Sequence, residues 1–191
     1  MVGEQPQGSI GGHEAVLVGE RVTLRPHSSE TLPALKRWYA DPELVRLARH
    51  RNAPLTGEEV DRLVRERFTT AQMLAFALYE RLDQAEQLIG SCTLANLDIE
   101  NGTATFHLMI GEPDARGRGL GSEATQLVTR FAFSALGLHR ISLTLFAFNE
   151  PALRCYLKAG FTVEGRMRDA ITRDGRRWDE IQMGLLASEA S

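Results

Sequence analysis

Residues 115–124 read A-R-G-R-G-L-G-S-E-A and place glycine at every second position in the middle of the segment. The segment follows an apolar run at residues 103–110 and leads into a helical pattern over residues 122–136. Glycines let the backbone curl and expose its N–H groups, and the N-terminus of a helix adds positive potential. Arg116 and Arg118 add charge suited to phosphate oxygens. The segment therefore predicts a site for a ligand that carries a pyrophosphate.

Two common nucleotide-binding motifs do not fit this segment. A P-loop ends in Gly-Lys-Ser/Thr, which is absent here. A dinucleotide-binding fingerprint needs G-x-G-x-x-G after the strand that opens the fold, whereas this chain has G-x-G-x-G past its midpoint. The glycines alone could also form a flexible turn ahead of a helix. The neighbouring segments must therefore distinguish such a turn from an anion-binding loop.

The segments that follow have a recognisable order. A strand-like run over residues 139–146 is followed by N-E-P-A-L-R-C-Y-L-K-A-G-F. Asn149 can cap a helix that has Pro151 in its first turn, and Gly160 can end that helix in the left-handed conformation. The order is anion loop, helix, strand, Asn, short helix bearing a Tyr, Gly-Phe and strand.

This order resembles the acyl-CoA-binding core of the GNAT superfamily of N-acetyltransferases, whose Arg-x-x-Gly-x-Gly loop is matched by Arg116, Gly119 and Gly121. The wider resemblance is to the branch with ribosomal-protein alanine N-acetyltransferases and spermidine N-acetyltransferases. It spans about residues 19–186. Its further motifs are V-x-L-R-P at 22–26, D-P-E at 41–43, V-E-G-R at 163–166 and D-G-R-R-W-D-E at 174–180.

The resemblance implies an α/β (α+β) fold of the GNAT type. We expect one mixed, largely antiparallel sheet of about seven strands with a central, splayed parallel pair and about four flanking helices. The 191 residues, 43% hydrophobic and 25% charged, fit one globular domain. We expect residues 1–18 to form a flexible lead-in and residues 19–191 to form the single acyltransferase domain.

Local patterns give a coarse order of elements. Thr56 with Glu59 forms a capping box, and Asn101-Gly102 and Asp174-Gly175 mark turns. The strand after the crossover helix should run parallel to the strand before it. The predicted helices are 30–40, ended by Asp41-Pro42, then 56–68, 122–136 and the segment after Asn149. The predicted strands are 22–25, 74–79, 88–96, 103–110, 139–146, 161–168 and 178–186.

Composition narrows the partners. A net charge of −3 gives no reason to expect nucleic-acid binding and mildly favours cationic amines. Cys92 and Cys155 form neither a metal motif nor a disulfide framework, and free thiols suit a reducing cytoplasm. No apolar run approaches the roughly 20 residues of a membrane span. We therefore expect a cytoplasmic protein with no metal and no membrane partner; a homodimer stays open.

The resemblance implies acetyl-CoA as the donor, with CoA as the product. The thioester would lie between the two parallel strands, and a backbone N–H of the first strand could polarise its carbonyl. The amine would attack the bound thioester directly, since the sequence shows neither G-x-S-x-G nor a Cys-His constellation. The expected cofactor-binding residues are Leu108, Met109, Ile110, Arg116, Gly117, Arg118, Gly119, Leu120, Gly121, Ser122 and Asn149.

Tyr156 lies seven residues after Asn149, where the family has the Tyr that protonates the departing thiolate. A phenol has a pKa near 10 and a thiol near 8.5, so proton donation to a thiolate that is still developing charge is feasible. The alternative is a core aromatic residue on a short helix. Within the family pattern we favour the acid.

The general base is less well defined. Many relatives carry Glu on the strand before the phosphate loop, where this chain has Thr105, which cannot act as a base. His107 lies on the same face of that strand and is the nearby titratable residue. A lone histidine on a strand more often has a packed or surface role, and deprotonation through water by Glu150, Asp98 or solvent stays open.

The expected acceptor is an amine, either a protein N-terminus or a small molecule. The absence of a Glu at position 105 counts against a polyamine. Acetyl and succinyl donors both stay open. A catalytically weak acyl-CoA-binding module for assembly or regulation is the alternative, favoured by Thr105 and disfavoured by Asn149 and Tyr156. Two polar clusters could contact the acceptor, although we favour a solvated helix end as the explanation of the first. They are Arg46, Arg49, His50 and Arg51, and Asp174, Arg176, Arg177, Trp178, Asp179 and Glu180.

Overall fold

The computed structural model describes residues 9–10, 14–51, 53–68 and 70–190. Within them, nine strands form one sheet and five α-helices cover its faces. The strands are Ser9–Ile10 (β1), Leu17–Val18 (β2), Val22–Ser28 (β3), Leu74–Arg81 (β4), Glu86–Asp98 (β5), Thr103–Ile110 (β6), Arg140–Phe146 (β7), Thr162–Arg173 (β8) and Arg176–Leu186 (β9). The helices are Leu32–Ala40 (α1), Pro42–Ala48 (α2), Gly57–Leu63 (α3), Leu120–Ser134 (α4) and Glu150–Lys158 (α5).

The sheet has the mixed, largely antiparallel order predicted from the sequence. Its strands follow the order β1-β3-β4-β5-β6-β7-β9-β8, with β2 also paired to β3. Among the described strands, β6 and β7 form the parallel pair, and the other pairs are antiparallel. The seven longer strands, β3 to β9, are those that the sequence predicts, and the two-residue β1 and β2 are additions. The predicted fold class is confirmed.

The parallel pair separates soon after it forms. Its paired residues are Thr103 with Arg140, Ala104 with Ile141, and Thr105 with Ser142. Beyond Thr105, β6 goes on to residue 110 while paired with β5 on its other side. The strands therefore leave a gap between them at their carboxyl ends, which is the splayed pair predicted from the sequence.

The side chains of β6 alternate between two cores. Ala104 and Phe106 are buried in the main core together with residues of α4 and α5. Met109, on the opposite face, packs against a second core formed beneath α1 and α3, with Leu35 and Val60 at its centre. We call these two sides of the sheet the α4 face and the α1 face. The gap between β6 and β7 thus opens onto two different sets of helices.

Capping residues fix the ends of the helices close to their predicted positions. Thr56 accepts a hydrogen bond from the Glu59 N–H, and the Glu59 carboxylate accepts one from the Thr56 N–H, which confirms the capping box. A π-helical segment, Val64–Phe68, extends α3 to the predicted end. Asn149 caps α5 through the Ala152 N–H, and Gly160 follows it with a φ of 99°.

Helix α2 is the one described helix that the sequence pattern does not indicate. Asp41-Pro42 ends α1, as predicted, but the chain then enters α2 instead of a loop. The Asp41 carboxylate accepts a hydrogen bond from the Glu43 N–H at 2.8 Å, and proline suits the first turn. The same two residues therefore end one helix and begin the next.

Part of the expected lead-in belongs to the sheet. Residues 1–8 and 11–13 lie outside the described residues. Strands β1 and β2 both pair with β3, and Leu17 packs against the main core. The division into a lead-in and a domain at residue 19 stays a prediction.

Gly111, at the end of β6, offers a test of the packing that positions the gap. A Cβ on this residue would overlap the ring of Trp38, which is buried in α1. We expect Gly111→Ala to lower the free energy of unfolding by about 1–3 kcal/mol, because neither Trp38 nor the strand can move without opening the core. Urea denaturation measures this change. Gly57→Ala, whose Cβ would make only ordinary contacts with Lys36, is the control, and equal stability of the two variants would contradict the prediction.

Candidate active site

The predicted anion loop lies at the N-terminus of α4, beside the gap. Gly117 has a φ of 72° and Gly119, the N-cap of α4, a φ of 84°, both in the region that favours glycine. No atom outside its chain neighbours lies within 4 Å of the position of a Cβ on Gly117, so the loop surface is open there. Leu120 is buried and anchors the start of the helix in the main core. The loop thus has the backbone shape that anion binding by N–H groups needs.

Gly121 brings this helix end close to β6. A Cβ on Gly121 would lie 3.1 Å from Leu108 Cδ2 and 3.4 Å from Cys155 Sγ. The hydroxyl of Ser122 lies 3.5 Å from both the carbonyl oxygen and the sulfur of Cys155. A larger residue at position 121 would therefore push α4 away from both β6 and α5.

Arg118 forms an ion pair within the protein. Its guanidinium donates two hydrogen bonds to the buried carboxylate of Glu80, at 2.8 and 2.5 Å. The Arg118 carbonyl oxygen accepts from Arg21, whose backbone N–H and Nε donate to Glu123. Much of the Arg118 charge is balanced by Glu80, 38 residues away in sequence. The predicted phosphate contact of Arg118 stays a prediction.

Arg116 holds the end of β6. Its Nε donates to the Ile110 carbonyl at 3.1 Å and its Nη2 to the Gly111 carbonyl at 3.1 Å. Its Nη1 lies 3.5 Å from the Glu43 carboxylate, and Asp41 lies within 3.9 Å of the guanidinium. The side chain therefore joins β6 to the start of α2. Its expected role on phosphate also stays a prediction.

The predicted pantetheine-binding segment, Leu108, Met109 and Ile110, forms the edge of the gap. On one side these residues pair with Cys92, Ser91 and Gly90 of β5. All three are half-buried, and the paired stretch with β7 has ended before them. An extended ligand could thus pair with their other edge in the way that an added strand would.

Helix α5 places Tyr156 beside β6, and Asn149 at its start contacts α2. The Asn149 side-chain amide donates to the Leu47 carbonyl at 3.2 Å, so the residue joins α5 to the end of α2 as well as capping α5. The Tyr156 ring, 6% exposed, contacts Phe106 at 6.3 Å and Phe161 at 5.9 Å between ring centroids. Burial raises the pKa of the Tyr156 phenol above its ordinary value of 10.0, and the nearby Cys155 and Cys92 add to this. The phenol is therefore neutral at neutral pH.

The two polar clusters predicted to contact the acceptor meet in space at the carboxyl end of β7. Arg46 donates to Asp174 at 2.8 Å. The guanidinium of Arg173, which the sequence pattern does not single out, donates to the carbonyl oxygens of Arg49 and His50. Three aromatic rings pack beside these groups, namely Phe146, Phe148 and Trp178.

Residues 21–162 match the family model of the acetyltransferase (GNAT) domain. The chain belongs to the GNAT acetyltransferase family. This confirms the family assigned from the motifs and shows that the protein is an N-acetyltransferase.

Relatives cover most of the chain. A prophage-derived uncharacterized N-acetyltransferase of Bacillus subtilis is 28% identical over 90% of this chain and 93% of its own length. The human alpha/beta-tubulin-N-acetyltransferase 9 is 29% identical over 76% of this chain and 74% of its own length. A crystal structure of spermidine N-acetyltransferase from Vibrio cholerae, in complex with CoA and spermine, superposes with a TM-score of 0.80 at 21% identity. The superposition covers 89% of this chain and 98% of the solved chain.

The cysteines of this GNAT chain are poor nucleophiles. Burial raises the pKa of the Cys92 thiol, and it also raises that of Cys155 despite hydrogen bonds with Ser122 and Thr125 that act in the opposite direction. Because the thiolate is the reactive form, both groups are inert at neutral pH. The described residues hold no cluster of three His, Cys, Asp or Glu that could bind a metal. No helix among them is long and apolar enough to cross a membrane.

The candidate bases named from the sequence are scattered. His107 is exposed on the α1 face of β6. Asp98 lies at the other end of β6 from the gap, and hydrogen bonds from Asn101 lower its pKa, which makes it a weaker base. Glu150 is exposed at the start of α5, 3.3 Å from Arg154. The role of His107 as the base stays a prediction.

Burial of the Tyr156 phenol predicts a pH-dependent stability. Since its pKa in the folded protein lies above the unfolded value of about 10, the unfolded chain loses this proton first as the pH rises. The contribution of this group to the free energy of unfolding is thus fully present below about pH 10. Above that pH it declines, by up to about 1.4 kcal/mol per pH unit. We expect Tyr156→Phe to remove this part of the decline. Urea unfolding at about pH 8 and about pH 10.5 measures it, and parallel losses in the two proteins would contradict it.

Proposed function

We propose that this protein transfers an acetyl group from acetyl-CoA directly to a primary amine within a ternary complex. The observation that carries the proposal is the gap between β6 and β7, which begins after Thr105 and lies beside the N-terminus of α4. A pyrophosphate on the loop at residues 116–122 places an attached thioester arm along β6. The Vibrio cholerae spermidine N-acetyltransferase, solved with CoA and spermine, has the same fold and supports this arrangement.

The residues present fit such a donor. Backbone N–H groups from Gly117 to Ser122 are suited to bind the pyrophosphate, because left-handed glycines and the helix N-terminus expose them. The free edge of Leu108–Ile110 is suited to pair with the amide groups of the pantetheine arm, and one N–H can polarise the thioester carbonyl. Asn149, at the start of α5, is the remaining proposed contact. Acetyl-CoA supplies the acetyl group as a reactive thioester.

Direct transfer is favoured over an acyl-enzyme. The two thiols of the chain, Cys92 and Cys155, are held protonated by burial, so neither is an activated nucleophile. Tyr156 is the proposed acid that gives its hydroxyl proton to the departing sulfur. His107 is a candidate to take the proton of the amine.

Two acceptor classes remain within the proposal. Named relatives include tubulin and spermidine N-acetyltransferases, one acting on a protein and the other on a small amine. Position 105 is Thr, and its hydroxyl accepts a hydrogen bond from Asn96 at 3.3 Å. A carboxylate for the second cation of a polyamine is thus missing there, which favours a protein N-terminus or a simpler amine. Free cysteines are in keeping with the cytoplasm as the place of action.

The donor site can be tested by the effect of CoA on thermal stability. A ligand that binds only the folded protein raises the melting temperature. We expect CoA and acetyl-CoA to do so for the wild-type protein, and Gly119→Val to abolish the shift because its side chain would cover the loop N–H groups. Thermal unfolding with and without CoA measures this.

Gly137→Val is the matched control for Gly119→Val. Gly137 follows the other end of α4 with a φ of 67° and open space around its Cβ position, so this variant carries similar backbone strain away from the loop. It should retain the CoA shift. Thiol release from acetyl- and succinyl-CoA with N-terminal peptides, polyamines, amino acids and aminoglycosides then identifies the acceptor. A folded Gly119→Val protein with an unchanged CoA shift would refute the assignment of the loop.

The acid is tested by Tyr156→Phe, which removes one hydroxyl and keeps the ring packed against Phe106 and Phe161. If the hydroxyl protonates the sulfur, kcat should fall by about 10²–10⁴-fold. The KM for acetyl-CoA should change little, because the contact forms chiefly in the transition state. Single-turnover acetyl transfer at saturating acetyl-CoA measures the effect. Wild-type rates in the variant would leave Tyr156 with a packing role only.

A further inference from the structure

Glu180 and His50 form a carboxylate–imidazole pair that the proposed mechanism does not use. We propose that His50 takes the proton of the attacking amine and that Glu180 is the positioning residue that orients His50. This inference rests on the proposed function, since it assigns the base for the same transfer. The pair joins α2 to β9, 130 residues apart in sequence.

The position of Glu180 follows from the register of the sheet. It pairs with Phe146, the last residue of β7, which is the strand on the far side of the gap from β6. Its neighbour Ile181 points into the main core on the α4 face, so Glu180 lies on the α1 face. The end of α2, which leads to His50, covers this face. The pair therefore lies at the carboxyl end of the gap, on the side opposite the helix of Tyr156.

The hydrogen bond defines which nitrogen of His50 can act as a base. Nε2 lies 3.3 Å from Oε2 and 3.2 Å from Oε1 of Glu180. An N–H on Nε2 that donates to the carboxylate leaves the lone pair on Nδ1, and the carboxylate stabilises the imidazolium that forms when Nδ1 gains a proton. The same logic makes a buried Asp orient the His of a serine-protease triad.

Glu180 is buried and His50 is exposed, as a positioning carboxylate and a base that meets the substrate require. Glu180 is only 5% exposed, whereas the His50 side chain is 67% exposed and can meet a substrate. The edge of the His50 ring packs against Phe146 at 5.2 Å between centroids and at 84°. The imidazole is thus held at the end of β7 by a ring contact and a hydrogen bond, with its outer edge open.

The arginine side chains around the pair are held by contacts with other groups. Arg173, 3% exposed, donates to the His50 and Arg49 carbonyls and stacks over Phe146 at 5.4 Å. Arg46 is paired with Asp174. Arg49 lies over Tyr39. Arg173 thus fixes the backbone of His50 from β8, while the Glu180 carboxylate accepts the hydrogen bond of the His50 ring.

The surroundings of the pair include buried polar donors. The Nε atoms of Arg49 and Arg173 and the Nε1 of Trp178 are buried and lack a hydrogen-bond partner among the described residues. Buried polar groups are normally paired, because leaving one unpaired costs free energy. These atoms lie beneath the surface, so the pair is set in a polar region next to the exposed ring of His50.

The proton balance of the transfer is complete with this assignment. The amine nitrogen forms a bond to the carbonyl carbon, and the bond from that carbon to sulfur breaks. The sulfur takes the proton of the Tyr156 hydroxyl, and the surplus proton on the amine nitrogen passes to His50 Nδ1. Proton exchange with solvent then restores both side chains.

Two isosteric variants test the pair, with a histidine from the other end of β7 as control. His50→Gln cannot accept the proton, and Glu180→Gln removes the charge while keeping the size. His139→Gln changes an exposed histidine just before Arg140, at the opposite end of β7. The measurement is kcat and both KM values from about pH 5 to about pH 8, the range in which imidazole changes protonation. The substrates are acetyl-CoA and the amine of highest turnover in the panel above.

We expect kcat at about pH 7 to fall by about 10²-fold in His50→Gln, with the KM for acetyl-CoA unchanged. The fall in rate at acid pH that reflects protonation of His50 should disappear in this variant. In Glu180→Gln, kcat should also fall, but less than in His50→Gln, with the KM for acetyl-CoA unchanged, because the imidazole remains but loses the carboxylate that orients it. His139→Gln should match the wild type.

The other outcomes discriminate between explanations. A higher amine KM in Glu180→Gln, with normal kcat in His50→Gln, would show that Glu180 binds the amine cation itself and would overturn the assignment of His50. Normal kinetics in both variants, with the rate loss found in His107→Gln instead, would overturn it in favour of His107. CoA binding monitored by thermal shift shows whether each variant is folded. No turnover by the wild type with any amine would overturn the proposed function and this inference with it.

Discussion

The short parallel pairing of β6 and β7 is the constraint on which the rest of the site depends. The two strands share three paired residues and then diverge inside an otherwise antiparallel sheet. Backbone N–H and C=O groups in the middle of a sheet must find partners. Part of that requirement is met within the chain, since Arg116 donates to the carbonyl oxygens of Ile110 and Gly111. The remaining edge of β6 is suited to an extended ligand, and it is there that we propose the donor binds.

Contacts on both faces of the sheet hold the carboxyl end of β6 in place beside the gap. On the α4 face, Gly121 lets α4 approach Leu108 and Cys155 closely. On the α1 face, Trp38 covers Gly111 at the end of β6 and donates to Glu112 at 3.0 Å. The end of β6, on one side of the gap, is therefore held between α4 on one face and α1 on the other.

The parts of the site that local sequence determines were predicted well. The bounds of β6, the capping box of α3 and the Asn149 cap of α5 depend on residues within a few positions of one another, and each is confirmed. Helix α2 was missed because Asp41-Pro42 serves as both a stop and a start. The ion pair of Arg118 with Glu80 and the contact of Arg173 with His50 join residues 38 and 123 positions apart, which no local pattern reveals.

The long-range ion pairs change how the anion loop should be understood. The sequence suggests two arginines directed at phosphate, but Arg118 is bound to Glu80 and Arg116 to the end of β6. A guanidinium that already has a carboxylate partner contributes less attraction to a further anion than a free one. We therefore propose that an anion at this loop would be bound mainly by backbone N–H groups and the helix N-terminus, whose donors have fixed directions. Arg118 holds the loop against β4, and Arg116 holds the end of β6 beside the loop.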